Sequence, residues 1–145
     1  MAESIWFHRA TLEQLNQTAD CMVGHIGIEF TEIGADYLVA RMPVDRRTRQ
    51  PYGLLHGGAS LTLAETLGST GAYLSIDQKK YQAVGLEINA NHVRAARDGW
   101  VTGVARPLHR GRTTQLWEIR ITDEAGKLVC VSRITVAVLE KQPAV

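Results

Sequence analysis

Residues 53–76 read GLLHGGASLTLAETLGSTGAYLSI, and Glu65 is the only Asp, Glu, Lys or Arg among them. The run is long, uncharged elsewhere and free of proline, so it reads as a helix from about Gly58 to Ser75. An ionised carboxylate buried without a partner costs several kcal/mol. Glu65 therefore either sits on a wet edge of the helix or has chemical work to do. Helical spacing places Leu61, Thr62, Gly68, Ser69 and Ala72 around it, a small or hydroxylated surface that another backbone or a ligand can approach. Leu63, Leu67, Thr70 and Leu74 make the opposite stripe, expected to pack on a sheet.

Strand patterns surround this helix. Before it, IGIEFTEIG and YLVARMPV are separated by the turn signal GAD and read as a hairpin, followed by the basic loop DRRTRQPYG. After it come QAVGLEINANHVR, WVTGVARPLH, TTQLWEIRIT and KLVCVSRITVAVL, each bounded by a Gly- or charge-rich turn. Gln115, Trp117, Ile119 and Ile121 alternate with Leu116, Glu118, Arg120 and Thr122, the period of a half-buried strand. Short turns between successive strands predict antiparallel pairing of neighbours. The sum is an α+β fold, one long helix on an antiparallel sheet of about six strands, with the other sheet face left for solvent or a partner. Thr11 and Gln14 predict a capping box opening a short N-terminal helix.

Composition narrows the function. The 145 residues suffice for one domain, taken as 1–145, with 45% hydrophobic and 21% charged residues. Sixteen Lys and Arg against fifteen Asp and Glu give no field that recruits nucleic acid or an anionic membrane. No signal peptide or membrane span is expected, which predicts a cytoplasmic protein. Cys21 and Cys130 have no metal-ligand spacing and read as buried free thiols. The five histidines lack a zinc motif, and the helix entry lacks both the P-loop lysine and the second glycine of a nucleophile elbow. No metal or cofactor is expected. The HGG at 56–58 puts free N–H groups at a helix N-terminus, where an anion or a developing oxyanion can be held. Nine residues separate His56 from Glu65, ~13 Å along a helix at ~1.5 Å per residue. Two such groups act on one carbonyl only if two copies pair their helices antiparallel, so a homodimer, paired further into a tetramer, is expected.

With those residues in view, the chain resembles the hotdog-fold thioesterases. The similarity runs from HRATLEQLNQ through MPVDRRTRQPYGLLHGGAS to RPLHRGRTTQLWEI, within the acyl-CoA or aryl-CoA branch. That branch includes the menaquinone-pathway 1,4-dihydroxy-2-naphthoyl-CoA thioesterases and the proofreading thioesterase of enterobactin synthesis. The resemblance implies hydrolysis of an acyl-CoA, with coenzyme A as part of the substrate and no separate cofactor. It implies Glu65 as nucleophile or general base and the Gly57 N–H as donor to the thioester oxygen. Gln50 and His56 would orient the thioester, and Ser69 would position the water or the carboxylate. Substrate contacts are implied for Gly85, for His92, Val93, Arg94 and Ala95, and for the coenzyme A loop His109, Arg110, Gly111, Arg112, Thr113 and Thr114. Val93 and Ala95 stand where relatives often carry a second histidine or a proline. Trp6, Phe30, Tyr73 and Trp117 either line an aryl pocket or fill the core. Two other activities suit the architecture: a hydratase or dehydratase acting on an acyl thioester, and a non-catalytic acyl-CoA sensor.

Overall fold

The structure, a computed structural model, describes residues 3–144. Two single-turn helices, α1 (Leu12–Leu15) and α2 (Met22–His25), precede the hairpin β1 (Glu29–Ile33) and β2 (Leu38–Pro43). The long helix α3 (Gly57–Leu74) follows, and then β3 (Tyr81–His92), β4 (Trp100–Arg110), β5 (Thr114–Thr122) and β6 (Leu128–Glu140). Thr11 and Gln14 form the expected capping box on α1, and α3 begins and ends one residue earlier than its sequence pattern predicts.

All six strands form one antiparallel sheet in the order β1-β2-β4-β5-β6-β3. Neighbours in sequence pair at β1–β2, β4–β5 and β5–β6, as short turns require. They do not pair at β3–β4: β3 crosses to the far edge and pairs with β6, Tyr81 opposite Glu140 and His92 opposite Cys130. The physical reason is the segment after β3, which is anchored across the end of the sheet rather than folded back as a hairpin. Val93 N–H donates to Val129 O, the Ala96 carbonyl accepts from Leu55 N–H, and the Arg49 guanidinium donates to Arg97 O at 2.8 Å.

Helix α3 lies on the face carrying Leu38, Ala40 and Met42 of β2, Val101 and Ala105 of β4, Trp117, Ile119 and Ile121 of β5, and Ile134 and Val136 of β6. Leu63, Leu67 and Leu74 pack there as predicted, but Thr70 is only half-buried. Gly68 and Ala72, expected on the open side around Glu65, are buried against the sheet instead. Close approach explains this: a Cβ on Gly71 would stand 2.7 Å from the Trp117 ring, and one on Gly68 2.4 Å from Ile134. Glycine lets the helix backbone settle between bulky sheet residues, which widens its buried face beyond the leucine stripe.

Trp117 is fully buried and Phe30 nearly so. The indole Nε1 of Trp117 donates to Gln115, which exchanges hydrogen bonds with Ser75 at the C-terminus of α3. Trp6 stacks on Trp117 with ring centroids 6.1 Å apart, so three of the four candidate aryl-pocket aromatics belong to the core. Tyr73 is half exposed. Cys130 is buried, and desolvation raises its thiol pKa above the usual value. Cys21 is exposed, contrary to expectation, because the single turn of α2 that it precedes lies on the surface. No helix among the described residues is long and apolar enough to cross a membrane.

Candidate active site

Helix α3 starts at a histidine. His56 is its N-cap: the extended backbone there turns the imidazole back, and Nδ1 accepts from Gly58 N–H at 2.8 Å. The ring hydrogen is therefore on Nε2. The carbonyl of His56 accepts from Ala59 and Ser60. Of the first-turn N–H groups, Gly57's is the one with no acceptor among the described residues, and it lies at the positive end of an 18-residue helix.

Gly57 itself lines a cavity of about 480 Å³. Of the residues expected in the site, Gln50, Gly57, His92, Val93, Arg94 and Ala95 line it together. The Gln50 side-chain oxygen accepts from Tyr52 N–H within the loop, which leaves its amide NH₂ as the group free to donate. His92 closes the cavity from the end of β3. Its Nε2 would be 2.9 Å from a Cβ on Gly57, so the ring rests against the helix entry and glycine is what makes room for it. The sequence reading missed Ser60, buried one helical turn past Gly57, and the apolar lining from Leu54, Leu55 and Val129. The i, i+3 relation of Ser60 to Gly57 was the available signal.

The other predicted residues lie elsewhere. His56 faces a second recess of about 310 Å³, bordered by Met22, Thr48, Ala59 and Thr62. Glu65 is half-buried; Ser69 Oγ donates to its Oε1 across a long 3.4 Å, and a Cβ on Gly85 would come within 2.8 Å of the same oxygen. Gly85, expected to touch substrate, is thus first a neighbour of Glu65, at a bulge of the edge strand between Gly85 and Glu87. The His109–Thr114 segment forms the tight β4–β5 turn, closed by Gly111 N–H to Thr114 O. Thr113 O accepts from Val138 N–H, and the His109 ring fills the space a side chain on Gly111 would need. Arg110 and Arg112 border a cleft at the C-terminal end of α3, while the Gly57 cavity lies at its N-terminal end. Among the described residues no three His, Cys, Asp or Glu side chains gather as a metal-ligand set.

A helix N-terminus with a free N–H beside an amide donor, and a carboxylate on the same helix, are the parts needed to polarise a carbonyl and deliver water to it. The chain belongs to the thioesterase superfamily, whose family model matches residues 52–130, and it is a hotdog-fold thioester hydrolase. Over 136 residues it is 55% identical to the 1,4-dihydroxy-2-naphthoyl-CoA hydrolase of Escherichia coli strain K12, covering 93% of this chain and 99% of that protein. It is 54% identical to the proofreading thioesterase EntH of Cronobacter turicensis, covering 93% and 98%. The crystal structure of a Gln-to-Ala variant of thioesterase PA1618 from Pseudomonas aeruginosa superposes with a TM-score of 0.93 at 49% identity, covering 95% of this chain and 100% of that one.

Proposed function

We propose that this enzyme hydrolyses aryl- or medium-chain acyl-CoA thioesters to the free acid and coenzyme A, at sites shared between two copies of the chain. The thioester oxygen accepts from Gly57 N–H and the Gln50 amide, while His56 caps the helix that carries Gly57. Glu65 of the partner subunit, steadied by Ser69, supplies the carboxylate. The observation that carries this reading is separation: the donor cavity holds Gln50, Gly57 and His92, but neither Glu65 nor Ser69.

The edge of the sheet supports pairing. Strand β3 runs for twelve residues with one side unpaired, and Val84 and Leu86 are 42% and 62% exposed. A long, apolar, unpaired edge is a template for another strand. Antiparallel pairing with a second β3 would set each strand's Tyr81 end beside the other's His92 end. The Arg110–Arg112 turn of one copy would then approach the Gly57 cavity of the other. The outer sheet face offers the surface on which two dimers would form a tetramer.

Two routes fit the geometry. As general base, Glu65 takes a proton from water whose oxygen bonds to the acyl carbon; the carbonyl electron pair moves to the oxygen held by Gly57. Collapse breaks the C–S bond and the coenzyme A thiolate leaves, to be protonated. As nucleophile, the carboxylate displaces the thiolate and forms a mixed anhydride that water then opens. Oxygen-18 appearing in the Glu65 side chain after a single turnover in labelled water separates the covalent route from the other. Glu65→Gln keeps the shape and removes the base, so kcat for thiol release from benzoyl-CoA should fall by ~10²–10⁴ with KM within a few-fold. Near-full activity in that variant would refute the proposal.

A further inference from the structure

The N-terminal strap that crosses the end of α3 presents an aromatic ring that neither the fold nor the proposed chemistry uses. Its backbone is fixed: Ile5 N–H donates to Ala35 O, and Phe7 and His8 N–H both donate to Leu74 O at 2.9 and 3.0 Å. Trp6 is anchored inward, stacked on Trp117 and donating from Nε1 to Gly34 O at 2.7 Å. Phe7 between them points outward and is 64% exposed. An exposed apolar side chain is ordinary by itself. Phe7 differs in being held by neighbours that are locked, so a ligand stacking on it pays little ordering entropy.

The ring borders a cleft of about 310 Å³ together with Ser75, Asp77, Tyr81, Arg110 and Arg112. Neither arginine pairs with a carboxylate among the described residues; Arg110 makes only a 3.5 Å contact to Ile5 O, which ties the β4–β5 turn to the strap. Lys80 and Lys141 stand at the same end, joined through Lys141 N–H to Lys80 O. Two carboxylates oppose this charge. Asp77 is engaged, accepting from Lys79 N–H and lying 4.0 Å from Lys80 Nζ, and Glu140 sits opposite Tyr81 in the ladder. An aromatic shelf beside unpaired guanidinium groups is suited to a purine carrying phosphates.

Resting on the acyl-CoA reading above, in which the family resemblance already implies a coenzyme A loop at Arg110 and Arg112, we propose that Phe7 beside them is the stacking platform for the adenine ring of coenzyme A. Phe7 then sets specificity for coenzyme A esters over esters that lack the nucleotide, and is a binding residue remote from the reacting carbonyl. Such a contact lowers KM without altering kcat.

The test compares benzoyl-CoA with benzoyl-pantetheine, the same thioester without its nucleotide, in the full-length wild type, Phe7→Ala and Phe7→Trp. Calorimetric titration with adenosine 3′,5′-bisphosphate, the nucleotide fragment alone, accompanies it. Phe7→Ala should raise KM for benzoyl-CoA by about 5-fold or more, leave kcat and both constants for benzoyl-pantetheine unchanged, and weaken nucleotide binding by the same factor. Phe7→Trp should restore both. Equal losses on the two esters, a change in sedimentation, or nucleotide binding indifferent to Phe7 would overturn the inference. A wild type that cleaves neither ester yet binds the nucleotide through Phe7 would refute the acyl-CoA hydrolase reading and leave this one standing.

Discussion

Gly57→Pro is a perturbation that the helix geometry makes unusually clean. Gly57 is the first residue of α3 after the His56 cap, the one helical position where proline is favoured and its missing N–H breaks no helical bond. His56 has φ −70° and ψ 132°, the extended conformation that a following proline requires. Proline there also restricts the unfolded chain, so the melting temperature should hold or rise slightly, an effect of about 0.4–1 kcal/mol. The substitution deletes the one first-turn N–H without an acceptor among the described residues, on a residue that lines the cavity; loss of this proposed oxyanion donor should cost ~10²–10³ in kcat. One side effect needs a control. The new Cβ would lie 2.9 Å from His92 Nε2, and the exposed imidazole must swing away. Gly57→Ala adds the same carbon and keeps the N–H, so the ratio of the two variants isolates the hydrogen bond. The assay is chromogenic detection of thiol released from benzoyl-CoA. Co-expression with Glu65→Gln then tests the shared site. Random pairing makes half the dimers mixed, and each mixed dimer has one site free of both substitutions, so about one quarter of wild-type activity returns. Equal kcat for Gly57→Pro and Gly57→Ala would refute the role of the N–H. No recovery on co-expression would refute the shared site.

Three further outcomes are expected. Gly85→Ala places a carbon 2.8 Å from Glu65 Oε1, so the carboxylate must retreat by several tenths of an ångström; kcat should fall about 10-fold while thermal melting barely changes. A thiol-reactive chromogen should label Cys21 alone in the native enzyme and both cysteines in denaturant. Burial raises the Cys130 pKa in the folded state only, so its linkage contribution is intact below the unfolded thiol value of about 8.5. Denaturant melts should therefore show stability declining as pH rises above that value, and Cys130→Ala should remove this component of the decline.

The sequence by itself determined the six strands, the long helix α3 and the capped turn α1, while the single turn α2 was not among the elements it predicted. An 18-residue helix with a single charged side chain between strand patterns is a local signal, because periodicity, caps and turn residues act over a few positions. Gln115, Trp117, Ile119 and Ile121 were readable as one buried face for the same reason. The lone Glu65 was conspicuous because nothing else in the run is charged, and the HGG entry because adjacent glycines at a helix start leave backbone N–H groups accessible. Strand order was not legible. Whether β3 turns back on β4 or crosses to β6 depends on anchors such as Arg49 to Arg97 and Leu55 to Ala96, pairs far apart in the chain. The helix face was half legible: leucines announced it, but Gly68 and Ala72 joined it because Trp117 and Ile134 rise to meet a bare backbone. Tertiary structure alone placed Gly85 against Glu65, turned His92 onto Gly57 and fixed Phe7 beside Arg110 and Arg112. Each brings together elements distant in sequence, and residue spacing encodes only what lies within a turn or a strand.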